Sequence, residues 1–393
     1  MAKKKHKNPA LSNERPTWGL IEKLVLWSKC AGRCELCNQL LYENKYTKDI
    51  VNLGNLAHII AHSNNGPRPD DTLPQEYKSS IANIILLCND CHTTVDTLEK
   101  KYTVAVLRSI KKSHEDKIRF QTAPTLDGKR RIFLFTASIA GQAPIIDINE
   151  ARNAMFPEQY AADENIILGV QSPFQSELQN GFWDNAKRQI DLEFNRSIYQ
   201  DLRHCPKIGV FAIAPMPLLI YLGWKIGDKY DCQVFQRHRH QDNPWKWPSA
   251  SENEKHFDII APTNEQLASA TSQSVVRLAI SVSFDIRPRI QKYHASSDLL
   301  WEIRAREEMS TEYVSSPTQL AEFRKAVHTV LNDISQQCGR RPIHLYLSVP
   351  VSLAVTLGMS ILPKATSEII IHDYVKTEDK DVEAITINFN DGI

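Results

Sequence analysis

The sequence predicts two modules, a small α+β unit closed by a metal knuckle and a larger α/β unit built from two related halves. Two Cys-x-x-Cys pairs, Cys34/Cys37 and Cys88/Cys91, present four soft donors on two short turns, the arrangement that closes a tetrahedral zinc site. Residues 121–129 (QTAPTLDGK), with Pro124 and Gly128, have the composition of a linker. Beyond the linker, strand-like and helical runs alternate, which argues for α/β layers. One strand–loop–helix unit occurs twice: residues 211–223 (FAIAPMPLLIYLG) and 346–358 (YLSVPVSLAVTLG) carry Pro215/Pro350, Leu218/Leu353 and Gly223/Gly358 at the same offsets.

Residues 18–31 (WGLIEKLVLWSKCA) follow a disordered, basic stretch over 1–16 and space Leu20, Leu24 and Trp27 as an inward helical stripe. They lead into the first cysteine turn. Residues 55–62 are β-prone and hold His58, and residues 63–70 (SNNGPRPD) are turn-rich. Residues 81–87 are an apolar strand entering the second cysteine turn, and a helix is expected from near His92 past Val95 and Leu98. Residues 100–120 place Val104, Leu107, Ile110 and Ile118 among basic residues, a second amphipathic helix. The linker divides the chain into 1–123 and 124–393. In the second module strands are expected at 131–137, 166–170 and 208–214, a helix at 185–202, and a second set from Val275, giving halves of about 150–260 and 270–393. Each repeated unit reads as a buried strand ending at proline, then an apolar helix ending at glycine. Open α/β sheets bind ligands in the crevice at the carboxyl ends of their strands.

At 393 residues the chain holds two or three domains, and its 42% hydrophobic and 24% charged content is that of a soluble globular protein. No apolar run reaches the roughly 18 to 20 residues that cross a bilayer, and the basic start lacks the apolar stretch of a secretory signal. Cys30, Cys205, Cys232 and Cys338 stand singly, which suits a reducing compartment and a cytoplasmic protein. The net charge of +1 hides an asymmetry. Residues 1–124 carry 19 Lys/Arg against 13 Asp/Glu, a net +6, and the remainder 28 against 33, a net −5. The basic part fits a polyanionic partner such as DNA.

The segment Asn83-Ile-Ile-Leu-Leu-Cys88-Asn-Asp-Cys91-His92-Thr-Thr-Val-Asp96, together with His58, resembles the HNH (ββα-metal) endonuclease motif. Phosphodiester hydrolysis needs a base, a hard divalent cation on the phosphate and neutralisation of developing charge. The resemblance implies His58 as general base, His92 as ligand of the catalytic cation, and Asn83 as a residue that orients His58 or joins the metal shell. With a helix starting here, Asp96 lies one turn after His92 and supplies a second ligand for Mg²⁺, Mn²⁺ or Ni²⁺. The four-cysteine zinc is then structural and holds His92 in register with His58. One position departs from the motif: many members carry Asp or His just before the base, and here it is Ala57. His62, Asp70, Asp71 or water would fill that place.

A second cluster comprises Ala214-Pro215-Met216-Pro217-Leu218 through Gly223-Trp224-Lys225, Val234-Phe235-Gln236-Arg237-His238-Arg239, and Trp245-Lys246-Trp247. With the strand–helix duplication it resembles the SAVED domain, a fusion of two CARF-like, Rossmann-like units that bind cyclic oligonucleotides. Such a ligand offers base faces and phosphates, which aromatic platforms (Trp224, Trp245, Trp247) and cations (Lys225, Arg237, Arg239) match. In the second copy Ser348 and Ser352 take the equivalent strand-end positions. The combination resembles the HNH/SAVED effectors of bacterial CBASS anti-phage signalling. It implies an abortive-infection endonuclease that a cyclic di- or trinucleotide switches on by self-association into dimers and higher oligomers, so that both strands of duplex DNA are cut, with no membrane involved. Two other readings stay open: a McrA-like restriction endonuclease whose larger module reads DNA, against which its −5 charge speaks, and a non-enzymatic zinc-knuckle regulator answering a nucleotide messenger.

Overall fold

The computed structural model describes residues 18–123, 125–170, 181–201, 207–248, 255–293, 295, 297–362 and 366–388. The tail expected to be disordered over 1–16, Cys205, and Leu202 at the end of the expected helix lie outside these residues. The chain divides into two compact units, Met1–Ala123 and Pro124–Ile393.

In the first unit α1 (Leu20–Lys29) precedes the first cysteine turn, and β1 (Gly54–His58) follows it. A four-residue α2 (Gln75–Lys78) leads to β2 (Ile84–Cys88), α3 (Asn89–Thr97) and α4 (Val104–Thr122). β1 and β2 pair antiparallel, with His58 opposite Ile84, and β2 is buried at every position. The α1 expectation needs correction. Leu20 is 73% exposed and Leu24 51%, while Leu26 is buried and Trp27 packs on the core. The inward face is set toward the carboxyl end, where Leu26 is buried and Trp27 packs on the core. α3 begins at Asn89, three residues before the expected start. Cys88 serves as its N-cap, its Sγ accepting from the Cys91 amide at 3.4 Å, so the second cysteine turn is the first turn of the helix.

The second unit contains two sheets. One joins β3 (Lys129–Ala137), β4 (Tyr160–Ala161), β5 (Ile166–Val170), β6 (Lys207–Ile213) and β7 (Asp231–Val234), all parallel, in the order β4-β3-β6-β7 with β5 also on β3. Its helices are α5 (Ile148–Met155), α6 (Phe182–Asp201) and α7 (Met216–Ile226). The other sheet runs β13-β12-β11-β9-β10-β8. Its strands are β8 (Phe257–Ile260), β9 (Val276–Ser281), β10 (Leu299–Ala305), β11 (Ile343–Ser348), β12 (Ile369–Val375) and β13 (Lys380–Ile387). Its helices are α8 (Asn264–Ser269), α9 (Arg287–Tyr293), α10 (Pro317–Cys338) and α11 (Val351–Met359). The inner strands are parallel and the edges β8 and β13 antiparallel. The wholly buried β9 (VRLAIS) has the near-continuous apolar character of a strand covered on both faces.

The repeated units are β6–α7 and β11–α11, and their glycines do not end the helices. Gly223 and Gly358 lie inside α7 and α11, where the two helices cross. A Cβ on Gly223 would stand 2.1 Å from the Val355 carbonyl oxygen, and one on Gly358 would stand 2.0 Å from that of Ile220. The contacts are reciprocal, backbone against backbone, and only glycine permits them. Among the described residues no helix is long and apolar enough to cross a membrane.

Gly223→Ala or Gly358→Ala must push the helices apart inside a packed core, at a cost of about 1–3 kcal/mol or more. Thermal unfolding of the full chain checks this, and each variant should lower the midpoint of the transition that belongs to Pro124–Ile393.

Candidate functional site

The four cysteines of the first unit come together. Sγ atoms of Cys34, Cys37, Cys88 and Cys91 all lie within 4.8 Å of one another, and those of Cys37 and Cys88 are 3.8 Å apart. A tetrahedron of thiolates around zinc, with bonds of about 2.3 Å, has edges of about 3.8 Å, so the donor set fits that ion. Burial alone would raise the Cys34 thiol, but bonds from the backbone at Cys37, Cys88 and Leu36 outweigh it and hold Cys34 below its ordinary range. Cys30 is no alternative ligand: its Sγ donates to Glu35 Oε1 at 3.0 Å, away from the cluster. Glu35 also accepts from the Leu86 amide at 3.0 Å and lies 3.8 Å from Lys111, tying the first turn to β2 and α4.

His58 ends β1. Its ring lies 5.4 Å from that of Trp18 and 5.8 Å from that of His62. On α3, His92 Nε2 lies 3.3 Å from Asp96 Oδ2, one turn on, so helix geometry brings these two predicted ligands together. Asp96 Oδ1 is committed elsewhere, accepting from Arg68 Nη2 at 2.7 Å. Arg68 was read only as part of a turn, yet it organises this region. It also donates through Nε to the Ile59 carbonyl at 2.9 Å, through Nη1 to that of Val95 at 2.7 Å, and through Nη2 to that of His58 at 3.4 Å. One buried guanidinium therefore fastens the end of β1 to α3. Its backbone is in the left-handed region, φ 53°, a conformation that costs a non-glycine residue roughly 1–2 kcal/mol.

The expected role of Asn83 is corrected. It is 1% exposed, its Oδ1 accepts from the Ile60 amide at 2.9 Å, and its Nδ2 donates to the carbonyls of Ile60 at 2.8 Å and Lys78 at 3.1 Å. With every side-chain polar atom spent on backbone, Asn83 is not placed to join a metal shell; it holds the chain just after His58, its own carbonyl also accepting from the Ile59 amide at 2.8 Å. Of the residues considered for the place of Ala57, His62 contacts the Gln75 amide and Asp70 accepts from Thr72.

In the second unit the proposed aromatic and basic cluster is divided. Trp224 and Lys225 sit late on α7, in a cleft with Asp184, Asp191, Thr386 and Ile387. Ile387 pairs with Ile369, the first residue of β12, so this cleft lies at the amino ends of the strands. Lys225 is held by Asp191 at 3.0 Å. Trp245 is no platform: it is 1% exposed, packed edge-on against Phe211, because the loop after β7 folds its apolar residues onto the first sheet. Trp247 is half-buried near Phe235 and His238. Arg237 and Arg239 are exposed on that loop, which is fastened to the segment after β10 through His238 and the Arg239 amide, both bound to Glu312.

Ser348 lies at the opposite end, where β9 and β11 finish. There a cleft of about 530 Å³ is lined by Phe284, Pro288, Arg289, Leu347, Ser348 and Tyr374. It continues past Ser283, Thr311 and His372 to Met216 at the start of α7, so both halves border it. Phe284 is 65% exposed despite its size. Arg289 lies 4.0 Å above the ring of Tyr374 and 3.1 Å from Asp381. Sequence reasoning missed Phe284, Arg289 and Tyr374; for the first two the signal was the SFDIRPR stretch after the buried strand Val276–Ser281. Ser352 points inward, wholly buried, and its amide and hydroxyl both donate to Gln236 Oε1, at 3.2 and 2.7 Å.

A family model described as "SMODS-associated and fused to various effectors sensor domain" (SAVED) matches residues 191–387. Among solved structures the chain is similar to the Cap4 SAVED/CARF-domain containing receptor of Acinetobacter baumannii with the cyclic trinucleotide 2′3′3′-cAAA. The identity is 13% and the TM-score 0.41, over 81% of this chain and 67% of that one. The same receptor with 3′3′3′-cAAA gives 13%, 0.42, 81% and 68%. The Moraxella osloensis Cap4 receptor gives 10%, 0.37, 80% and 61%. No curated protein matches the chain.

Asn83→Ala should strand both polar groups of Ile60 in a buried site, at about 1–3 kcal/mol. Hydrogen exchange reads this locally: the Ile60 amide should exchange about 5- to 100-fold faster, since 1.4 kcal/mol is one decade.

Proposed function

The chain belongs to the SAVED sensor family, and from that premise we propose that Pro124–Ile393 binds a cyclic oligonucleotide and thereby switches on a DNA endonuclease of the HNH type in Met1–Ala123. The observation that carries the sensing half is the cleft at the carboxyl ends of β9 and β11. An exposed Phe284 offers a stacking surface, Arg289 on Tyr374 offers a guanidinium, and Ser348 offers a hydroxyl. These are the groups a base face, a phosphate and a ribose require.

The nuclease half is supported by one strand pair and one helix that place His58, His92 and Asp96 in a single unit, with Arg68 bridging the His58 backbone and the Asp96 carboxylate. His58 takes the proton of the attacking water. His92 and Asp96 Oδ2 would hold a divalent cation, Mg²⁺ or Mn²⁺, whose chemistry is to neutralise charge on the scissile phosphate. Arg68 keeps Asp96 turned so that Oδ2 faces His92. The cysteine cluster would hold zinc structurally, fixing the start of α3 and with it His92. Control by the ligand requires that it bind the active, self-associated state more tightly than the inactive one. One observation favours a second reading, a DNA-binding regulator without hydrolysis: Arg68 already neutralises one oxygen of Asp96, which weakens that carboxylate as a cation ligand.

Plasmid degradation with Mg²⁺ or Mn²⁺, with and without a panel of cyclic di- and trinucleotides, decides between them. Cutting should depend on one ligand, and His58→Ala should lower it by at least about 100-fold without changing ligand binding. Arg289→Glu should abolish both ligand binding and ligand-dependent cutting. Cutting that ignores every ligand refutes the gating, and DNA binding without cutting under all conditions establishes the regulator. Metal analysis should find one tightly held zinc for each intact four-cysteine cluster, and chelators that remove it should unfold Met1–Ala123.

A further inference from the structure

Three metal-ligating side chains meet on β11, β12 and β13. Donor atoms of His344, His372 and Glu383 all lie within 4.8 Å of one another, with His344 Nδ1 2.9 Å from His372 Nε2. An irregularity in the sheet creates the group. β12 and β13 pair regularly from Ile369 opposite Ile387 to Ile371 opposite Ile385, and the same register would place Ala384 opposite His372. The register shifts at that point, and Glu383 stands there instead. A β-bulge disrupts the ladder locally and re-aims a side chain, which is why bulges gather near functional sites.

The surroundings hold the rings in place. Tyr346 stacks on His372, centroids 4.4 Å apart and planes 16° from parallel. The Tyr346 hydroxyl accepts from Arg277 Nη1 at 2.6 Å, and Asp298 Oδ2 accepts from Arg277 Nε and Nη2 at 2.9 and 2.8 Å, so the guanidinium charge nearest the histidines is already paired. Glu383 is exposed. The group is thus braced on its protein side and open on the other.

The geometry points to a binding site for one divalent transition metal of the zinc class on His344, His372 and Glu383. Two imidazoles and a carboxylate make up a zinc ligand set that keeps a coordination position open. Imidazole donors favour zinc, cobalt or nickel over magnesium or calcium. A tetrahedral ion with bonds of about 2.0–2.1 Å holds its nitrogen donors about 3.3 Å apart, so the rings need part by only a few tenths of an ångström. A plain imidazole–imidazole hydrogen bond would account for the two histidines but not for the register shift that brings in the carboxylate. His372 also borders the inner part of the cleft beside Tyr374 and Asp381, so a bound ion would stiffen that wall. This inference does not rest on the nucleotide reading.

The test uses the full chain with its four-cysteine site already loaded with zinc, titrated with further Zn²⁺ by calorimetry and with Co²⁺ by visible spectroscopy. The wild type should bind one equivalent more than His372→Ala, and that equivalent should give a cobalt spectrum without thiolate charge-transfer bands. Glu383→Gln, at an exposed position that leaves the fold intact, should weaken it at least tenfold. Equal stoichiometry and affinity in the wild type and Glu383→Gln overturns the proposal, as does displacement of the extra cobalt by equimolar Mg²⁺.

Discussion

Two helices whose backbones touch set the architecture of Pro124–Ile393. Because Gly223 meets the Val355 carbonyl and Gly358 meets that of Ile220, α7 and α11 approach more closely than any side chain permits. Each helix follows the central strand of its own repeated unit, so their separation fixes where β6 and β11 end relative to each other. The start of α7 and the end of β11 thus border one cleft rather than two. A core of this kind has little tolerance, since packed interiors respond to a single methylene.

The first unit is organised on other terms. Its apolar core is small, and polar connections carry much of the order: Glu35 between the first cysteine turn and β2, Asn83 on the loop after β1, Arg68 between β1 and α3. Such groups are costly when half satisfied and strongly ordering when complete. In this unit Glu35, Asn83 and Arg68 spend their polar atoms mainly on backbone.

What could be read in the sequence was what repeats or is spaced by covalent geometry. The cysteine pairs, the i, i+4 pair His92/Asp96, and the duplicated strand–helix units all show themselves in one dimension. The strand at 208–214 was legible because buried parallel strands are continuous apolar runs. Illegible were the contacts that depend on how elements pack. Trp245 looks like a platform until the loop after β7 is folded onto Phe211. Leu20 and Leu24 form a stripe that only tertiary anchoring turns outward. Asn83 and Arg68 have ordinary local sequences, and their partners lie across the fold. The glycines were noticed, but a glycine that ends a helix and one that admits a neighbouring helix look alike in sequence.

Gln236 bears on how an anion would be received in the cleft under the proposed sensing role. Helix amino termini attract anions through unsatisfied amides. The equivalent second positions of α7 and α11 are Pro217, which has no N–H, and Ser352, whose N–H is consumed by Gln236. By two different chemical routes, both copies withdraw the same amide. In the proposed sensing role, side chains such as Arg289 would take up part of the negative charge those amides do not meet. The duplicated helix ends would then serve as a frame, and side chains would supply the positive charge.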